Sequence, residues 1–257
     1  MIKTTVDMPP EGHLASLNGI EMYYEFYGGG TPLVLLHGFT QSGQAWQPFI
    51  ADLARHYQLI IPDLRGHGRS TNPTNQFTHR QAALDIFALL DQLGINQFAA
   101  MGASSGGMAL LHVATQQPAR VEAMVLVGAT SYFPEPCRAI QRERSLAWDW
   151  EMLGQLHVRG DDQICALIDQ FAQFADSYDD MNFTPPYLST ITARTLIVHG
   201  DRDPFFPVSI PVEMYTAIPH AYLWIIPNGD HVPIFDQRAA MFAQTALAFL
   251  RGQWETE

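Results

Sequence analysis

The sequence predicts an α/β fold, a mostly parallel eight-stranded sheet flanked by helices, with a helical insertion after the sixth strand. Short, wholly apolar runs such as Leu33–Leu36 and Val121–Val127 alternate with stretches of helical period. Wholly apolar runs are typical of strands covered on both faces. Strands that alternate with helices indicate parallel pairing with right-handed crossovers. A chain of 257 residues is long enough for one such domain.

The predicted elements follow in chain order. A hairpin spans His13–Tyr27, because Asn18-Gly19 is a strong two-residue turn signal between strand-like flanks. The later predicted strands are Leu33–Leu36, Tyr57–Pro62, a run that opens at Phe98, Val121–Val127, Thr195–Gly200 and Ala221–Ile226. The predicted helices of the core are 45–55, 79–93, one that starts after Ser104, and 238–250.

Residues 131–193, the inserted segment, break this alternation. They contain no strand-like run, and the pieces 139–150 and 162–175 have helical character. We therefore expect residues 1–130 and 194–257 to form the core and residues 131–193 to form a helical lid over the active site. The segment is rich in aromatic residues, and we expect some of them to line an apolar pocket.

The motif Gly102-Ala-Ser104-Ser-Gly106 lies where a buried strand passes into a helix. A serine between two glycines at such a turn is typical of a nucleophile elbow, which holds the serine hydroxyl clear of the backbone. The turn is so sharp that the flanking positions require glycine. Ser104 is therefore the predicted nucleophile.

Two backbone N–H groups are predicted to form an oxyanion hole. One belongs to Phe39, in the loop that follows the strand Leu33–Leu36, and the other to Ser105, just after the nucleophile. Preorganised donors of this kind stabilise the charge that develops on a reacting carbonyl oxygen. His37 precedes this loop, and we interpret it as a structural hydrogen-bonding residue rather than a catalytic base.

The predicted base and acid lie in the C-terminal part of the chain. His231 follows the last predicted strand, which is the position that the order Ser, Asp, His requires. Asp201 and Asp203 compete for the acid, and the spacing Gly-x-x-Asp-x-x-x-Pro favours Asp203. In the segment Asp63–Ser70 we expect Asp63 and Arg65 to pair and brace the loop, with His67 packed beside them.

Composition excludes several partners. Lys and Arg number 14 against 26 Asp and Glu, a formal charge of −12, which argues against nucleic acid or an anionic membrane. The 10 histidines are scattered without ligand spacing, so we expect no metal and no organic cofactor. The N-terminal residues lack an apolar signal core, no stretch is long enough to span a membrane, and Cys137 and Cys165 make no disulfide framework. We therefore expect a cytoplasmic protein with free thiols, whose oligomeric state the sequence leaves open.

From about Leu14 to Leu250 the chain resembles the α/β-hydrolase family, in its lid-bearing branch of serine esterases, lactonases and haloperoxidase-like enzymes. The motifs that carry the resemblance are Leu-His37-Gly-Phe, Asp63-x-Arg-Gly-His-Gly-x-Ser70, Gly102-x-Ser104-x-Gly-Gly107, Gly200-Asp-x-Asp203-x-x-x-Pro207 and Gly229-Asp-His231. Asp230 departs from the pattern, because many relatives carry a small or neutral residue there.

The resemblance implies covalent acyl transfer by Ser104, His231 and Asp203 on a small-molecule substrate. We expect a carboxylic ester hydrolase for small to medium, fairly apolar esters. Alternatives with the same triad are an enol-lactonase, a carbon–carbon bond hydrolase, a cofactor-free perhydrolase or haloperoxidase, and an acyltransferase. A hydrolase-fold ligand-binding protein is the alternative outside enzymes. A dehalogenase or epoxide hydrolase of this fold needs a carboxylate nucleophile, so Ser104 argues against both.

Overall fold

A computed structural model describes residues 11–143 and 148–254 of the chain. The strands are β1 (Glu11–Leu17), β2 (Ile20–Gly28), β3 (Pro32–Leu36), β4 (Gln58–Pro62), β5 (Phe98–Ala103), β6 (Val121–Val127), β7 (Arg194–Gly200) and β8 (Ala221–Ile226). Within the described residues they form one 8-stranded sheet in the order β1-β2-β4-β3-β5-β6-β7-β8. β1 and β2 pair antiparallel and β2 pairs antiparallel with β4, whereas every pair from β4 to β8 is parallel. The predicted fold class is confirmed.

Helices flank the sheet and form the inserted segment. The core helices are α1 (Gln47–Leu53), α2 (His79–Gln92), α3 (Ser105–Gln116), α8 (Ser209–Ala217) and α9 (Ala239–Leu250). The predicted helix over 45–55 is in fact a 3-10 turn, Gly43–Trp46, followed by α1. A proline in the first turn of α1 explains the division, because proline suits the start of an α-helix and not its interior.

The sheet is covered on both faces, as its wholly apolar strands predict. Leu33 and Leu35 of β3 pack into one hydrophobic cluster with side chains of α1 and α9. Val34 and Leu36 point the other way, into a cluster with side chains of α2, α3 and α8. Alternate residues of a strand face opposite sides, so this arrangement requires every residue of β3 to be apolar. The core therefore lies in two layers, one on each face of the sheet. The candidate site lies at the carboxyl ends of the strands.

The inserted segment contains α4 (Glu135–Arg142), α5 (Trp150–Leu156), α6 (Asp161–Gln173) and α7 (Pro185–Leu188), between β6 and β7. The predicted helical piece 139–150 falls on the end of α4 and the start of α5, and residues 144–147 within it lie outside the described residues. The piece 162–175 corresponds to α6 and the 3-10 turn Phe174–Asp176. No helix in the described ranges is long and apolar enough to cross a bilayer.

The charged loop after β4 is braced differently from the prediction. Arg65 does not pair with Asp63; its Nε lies 2.6 Å from Oδ2 of Asp85 in α2. Asp63 instead pairs with Arg69 at 2.8 Å and accepts the N–H groups of Gly43 and Arg69. The prediction was wrong because Asp85 is brought to the loop only when α2 packs against it. His67 is buried in this loop, as expected.

Candidate active site

Ser104 lies at the turn between β5 and α3, at the carboxyl edge of the sheet. Its backbone has φ 50 and ψ −118, a left-handed conformation that a residue with a side chain rarely adopts. A Cβ on Gly102 would lie 2.6 Å from backbone atoms of Gly106, and a Cβ on Gly106 would meet the carbonyl oxygen of Leu36. Both positions therefore require glycine, and the turn has the strained geometry that the motif predicts.

The structure brings the predicted nucleophile, base and acid together. His231 Nε2 lies 2.9 Å from Ser104 Oγ, and His231 Nδ1 lies 2.7 Å from Asp203 Oδ2. With Nδ1–H donated to the carboxylate, Nε2 is the acceptor that faces the serine hydroxyl. The rings of Phe205 and Phe206 pack on the imidazole at centroid distances of 4.9 and 5.5 Å, and they fix its orientation.

Asp203 is held as an anion by its surroundings. Its side chain is buried, and its Oδ1 accepts the backbone N–H groups of Phe205 at 2.8 Å and Phe206 at 3.2 Å. Burial by itself raises the pKa of Asp203, but the hydrogen bonds from His231 and Phe205 outweigh it and lower that pKa. Asp201, the competing acid, does not reach His231; it accepts the N–H of Gly229 at 3.2 Å and shapes the loop.

The two predicted oxyanion donors flank Ser104. Phe39 follows Gly38, where an added Cβ would lie 3.4 Å from Ser104 Cβ, so the loop runs close beside the serine. Ser105 is the first residue of α3, where backbone N–H groups have no partner inside the helix and the helix dipole is positive. Both N–H groups therefore belong to segments that border the Ser104 hydroxyl.

His37 holds the Phe39 loop in place. Its Nε2 accepts the N–H of Leu64 at 2.9 Å, and its Nδ1 lies 2.7 Å from the carbonyl oxygen of Gly38. These contacts define the tautomer, with Nδ1–H as the donor to Gly38. Complete burial lowers the pKa of His37 from 6.5 to about 4, so the ring is neutral near pH 7. The geometry agrees with a structural hydrogen-bonding residue.

Ser104 and His231 open into a cavity of about 270 Å³. Its aromatic lining comes from the core and from the inserted segment: Phe39, Phe205 and Phe206 from the core, and Phe133, Trp148, Phe171 and Phe174 from the segment. The expectation that some aromatic residues of the segment line an apolar pocket agrees with these four side chains. Phe183 is buried elsewhere, and Trp150, Tyr178 and Tyr187 are exposed.

The lining also contains hydroxyl, thiol, amide and imidazole groups, from Thr40, Ser104, Ser105, Cys137, Gln141 and His231. No Asp, Glu, Lys or Arg belongs to it within the described residues. Burial raises the pKa of the Cys137 thiol to about 12, so Cys137 stays protonated and does not compete with Ser104 as a nucleophile. A second cavity of about 400 Å³ borders Ser104 and His231 beside Gln41 and Phe235. In residues 11–143 and 148–254 no group of 3 or more His, Cys, Asp or Glu is placed to hold a metal ion.

A second serine, histidine and aspartate are joined by hydrogen bonds next to the first set. His79 Nε2 lies 3.1 Å from Ser105 Oγ, and His79 Nδ1 lies 2.6 Å from Asp180 Oδ2. Sequence reasoning missed His79 and Asp180, which are 101 positions apart. The adjacent serines of the elbow motif were the only local signal, and nothing in the sequence joins them to a histidine in α2.

Comparison with known proteins gives the family. A sequence profile described as alpha/beta hydrolase fold matches residues 31–183, more than half of the chain. The chain belongs to the α/β-hydrolase family.

The relatives of this α/β hydrolase are named for different reactions. A soluble epoxide hydrolase of a Corynebacterium species is 37% identical over 131 residues, which cover 48% of this chain and 46% of that protein. The match thus spans less than half of that relative. A pimeloyl-[acyl-carrier protein] methyl ester esterase of Xanthomonas campestris is 28% identical over 244 residues, covering 82% of this chain and 92% of the esterase.

Among solved structures, the meta-cleavage product hydrolase CumD of Pseudomonas fluorescens superposes with a TM-score of 0.80 at 22% identity, covering 94% of this chain and 98% of CumD. At this identity the likeness concerns the fold. The comparisons therefore show the family and the fold of this chain.

Proposed function

We propose that this protein is a serine hydrolase that cleaves small to medium, fairly apolar carboxylic esters through an acyl-enzyme on Ser104. One observation carries the proposal. His231 links Ser104 Oγ and Asp203 Oδ2 by contacts of 2.9 and 2.7 Å, at a strained turn that opens into an aromatic cavity. A nucleophile, a base in hydrogen-bond reach and an acid that orients the base are the parts that acyl transfer needs.

The first half-reaction forms the acyl-enzyme. His231 Nε2 takes the proton of the Ser104 hydroxyl while Oγ attacks the ester carbonyl. The N–H groups of Phe39 and Ser105 stabilise the oxyanion, and one such donor is worth about 3 kcal/mol of barrier. Asp203, kept anionic by its N–H donors, stabilises the imidazolium that forms.

The second half-reaction releases the acid. His231 gives its proton to the leaving alcohol, and a water molecule then takes the place of the alcohol. The same histidine removes a proton from this water as the water attacks the acyl-enzyme carbonyl. Collapse of the second tetrahedral intermediate returns the proton to Ser104 and frees the carboxylic acid. Every step uses residues of this chain.

The two cavities support the substrate class. The aromatic cavity, at about 270 Å³, is close to the lower end of small-molecule sites, roughly 300–1,000 Å³, so it suits a short or medium acyl chain. In the described residues the lining contains no Asp, Glu, Lys or Arg, and a positive charge arises only on His231 during the reaction. Such a lining favours uncharged acyl groups. The second cavity, on the side of Gln41, accommodates the alcohol part.

Hydrolysis of a p-nitrophenyl ester series from acetate to decanoate tests the proposal. We expect wild-type turnover to peak at short or medium chains, and Ser104→Ala to lower kcat by a factor on the order of 10⁶ because the nucleophile is lost. Ser209→Ala, the same chemical change at an exposed position in α8, is the matched control and keeps the wild-type rate.

Two results would contradict the ester proposal. Retention of most of the rate in Ser104→Ala would exclude Ser104 as the nucleophile. Absence of turnover of any ester by the wild type would direct the search to lactones, carbon–carbon bond cleavage, or peroxide with acetate. Capture of the acyl group by an added alcohol or thiol in preference to water would identify an acyltransferase. Tight retention of a small molecule without turnover would identify a ligand-binding protein.

A further inference from the structure

The side chain of Ser105 begins a buried chain of hydrogen bonds that the mechanism above does not use. Its hydroxyl meets His79 Nε2 at 3.1 Å, and His79 Nδ1 meets Asp180 Oδ2 at 2.6 Å. The His79 side chain is 0% exposed, whereas that of His231 is 22% exposed. We call Ser105, His79 and Asp180 the buried chain.

Asp180 comes from the inserted segment and caps a helix of the core. Its carboxylate accepts the N–H of His79 at 2.7 Å and the N–H of Arg80 at 3.0 Å, the first two residues of α2. These N–H groups have no partner inside the helix, and the helix dipole favours an anion there. The carbonyl oxygen of Asp180 also accepts His112 Nε2 from α3 at 2.7 Å. Asp180 thus ties the inserted segment to both helices.

The carboxylate of Asp180 is an anion with a defined partner. Burial by itself raises its pKa, but hydrogen bonds from His112, His79 and Arg80 outweigh the burial, and the pKa lies well below its usual range. His79 Nδ1–H donates to the carboxylate of Asp180, and His79 Nε2 is hydrogen-bonded to the Ser105 hydroxyl. The buried chain therefore holds the Ser105 side chain in one rotamer.

Ser105 is poorly placed to act as a nucleophile itself. It is 3% exposed and is the first residue of α3, whereas the strained conformation belongs to Ser104. His79 is enclosed by the rings of Phe77, Phe133 and Phe174, at centroid distances of 5.4, 5.9 and 5.1 Å. His79 is not among the residues that line the aromatic cavity, whereas His231 is. The buried chain must act through the position of Ser105.

We infer that His79 and Asp180 are positioning residues that hold the peptide N–H of Ser105 in the oxyanion hole, so that docking of the inserted segment through Asp180 completes the active site. The inference rests on the proposed ester hydrolysis. Its physical basis is the steep dependence of transition-state stabilisation on geometry, since a displacement of about 1 Å costs on the order of 100-fold in rate. Because His79 holds the Ser105 side chain in one rotamer, it limits such a displacement of the Ser105 peptide group.

Ser105→Ala and His79→Phe test the inference, because both break the buried chain while the Ser105 N–H is kept. We expect each to lower kcat by about 10-fold with KM little changed, a part of what complete loss of an oxyanion donor costs. The affinity for phenylboronic acid, whose adduct with Ser104 mimics the tetrahedral intermediate, should fall by the same factor. The affinity for benzyl alcohol, which makes no adduct, should stay unchanged.

The double variant His79→Phe/Ser105→Ala separates positioning from general damage. If the two side chains act as one unit, the double variant loses no more kcat than either single variant. Asp180→Asn alters the buried chain at its other end, and Thr195→Val is the control for the loss of a buried hydroxyl. The buried Thr195 hydroxyl donates a hydrogen bond to the carbonyl oxygen of Ala193 at the opposite edge of the sheet. Because Thr195→Val removes this hydrogen bond, we expect a lower Tm and an unchanged kcat.

The outcomes distinguish the inference from the proposed function. Wild-type turnover with unchanged kcat and unchanged boronic acid affinity in Ser105→Ala, His79→Phe and Asp180→Asn overturns the inference alone. Additive losses in the double variant overturn it as well, because they indicate two independent structural defects. Absence of ester turnover and of boronic acid binding in the wild type overturns the proposed function and the inference with it.

Discussion

The molecule contains two serine–histidine–aspartate chains whose serines are neighbours in sequence. In the first, His231 spans Ser104 and Asp203 at 2.9 and 2.7 Å; in the second, His79 spans Ser105 and Asp180 at 3.1 and 2.6 Å. Residue types and distances barely distinguish them. Contact distances alone are therefore a poor guide to which serine reacts.

Backbone conformation and access distinguish the two chains. Ser104 has φ 50 and lines both cavities, whereas Ser105 begins a regular helix and lines the aromatic cavity but not the second one. His231 is partly exposed to the cavity and can pass a proton to a leaving group, but His79 is enclosed. Under the proposed mechanism, a reactive triad therefore needs a nucleophile raised by its backbone conformation and a base that faces the cavity. The same three residue types without them can serve as a brace.

The largest expected difference is in catalysis. Asp203→Asn is expected to lower kcat about 10⁴-fold, because the amide favours the wrong tautomer of His231, whereas Asp180→Asn is expected to lower it only about 10-fold. The measurement is kcat for p-nitrophenyl butyrate, with thermal denaturation as a control for folding. Equal losses in the two variants would break the comparison, since both chains would then take part in chemistry.

A smaller difference of opposite sense is expected in stability. In Asp180→Asn the side-chain NH₂ group faces the backbone N–H of Arg80, so two donors meet and the α2 cap loses a hydrogen bond. We expect a loss of about 2 kcal/mol in the free energy of unfolding. Asp203→Asn should cost less, because an amide oxygen can still accept the Phe205 N–H. Urea denaturation at pH 7 measures both. A larger loss for Asp203→Asn would contradict the assignment of the buried chain as a brace.

Acid sharpens the comparison by revealing what other buried histidines contribute to stability. Burial lowers the pKa of His37 from 6.5 to about 4, so the unfolded chain binds a proton in that interval and the folded protein does not. The contribution of His37 to the free energy of unfolding is therefore complete above pH 6.5 and is lost as the pH falls toward 4. We expect a loss of about 2 kcal/mol at pH 5 from this residue.

Urea denaturation at pH 7 and pH 5 checks this expectation. Burial also lowers the pKa values of His67, His157 and His199, so the total loss should exceed that of His37. His37→Asn should flatten the pH dependence, while His56→Gln, a change at an exposed histidine, should leave it as in the wild type. An unaltered slope in His37→Asn would show that His37 is not the source.

Much of the fold and of the candidate site was predictable because it depends on local patterns. The wholly apolar run at β3 requires burial on both faces, and Asn18-Gly19 favours a tight hairpin turn, with φ 44 and 77 in the structure. The elbow around Ser104 depends on glycines at 102 and 106, whose need follows from steric contacts within the turn. The loop spacing singled out Asp203 rather than Asp201 as the partner of His231, and the structure has that contact.

The sequence by itself therefore determined the strands, most of the core helices, their order and the residues at the ends of the strands, because hydrophobic period and steric limits act over a few positions. Tertiary structure alone decided that Arg65 pairs with Asp85, which aromatic residues face the cavity, and that Asp180 reaches His79 across 101 positions. Such contacts depend on how packed elements direct their side chains, and the chain reveals that direction only when its two layers and the inserted segment have come together.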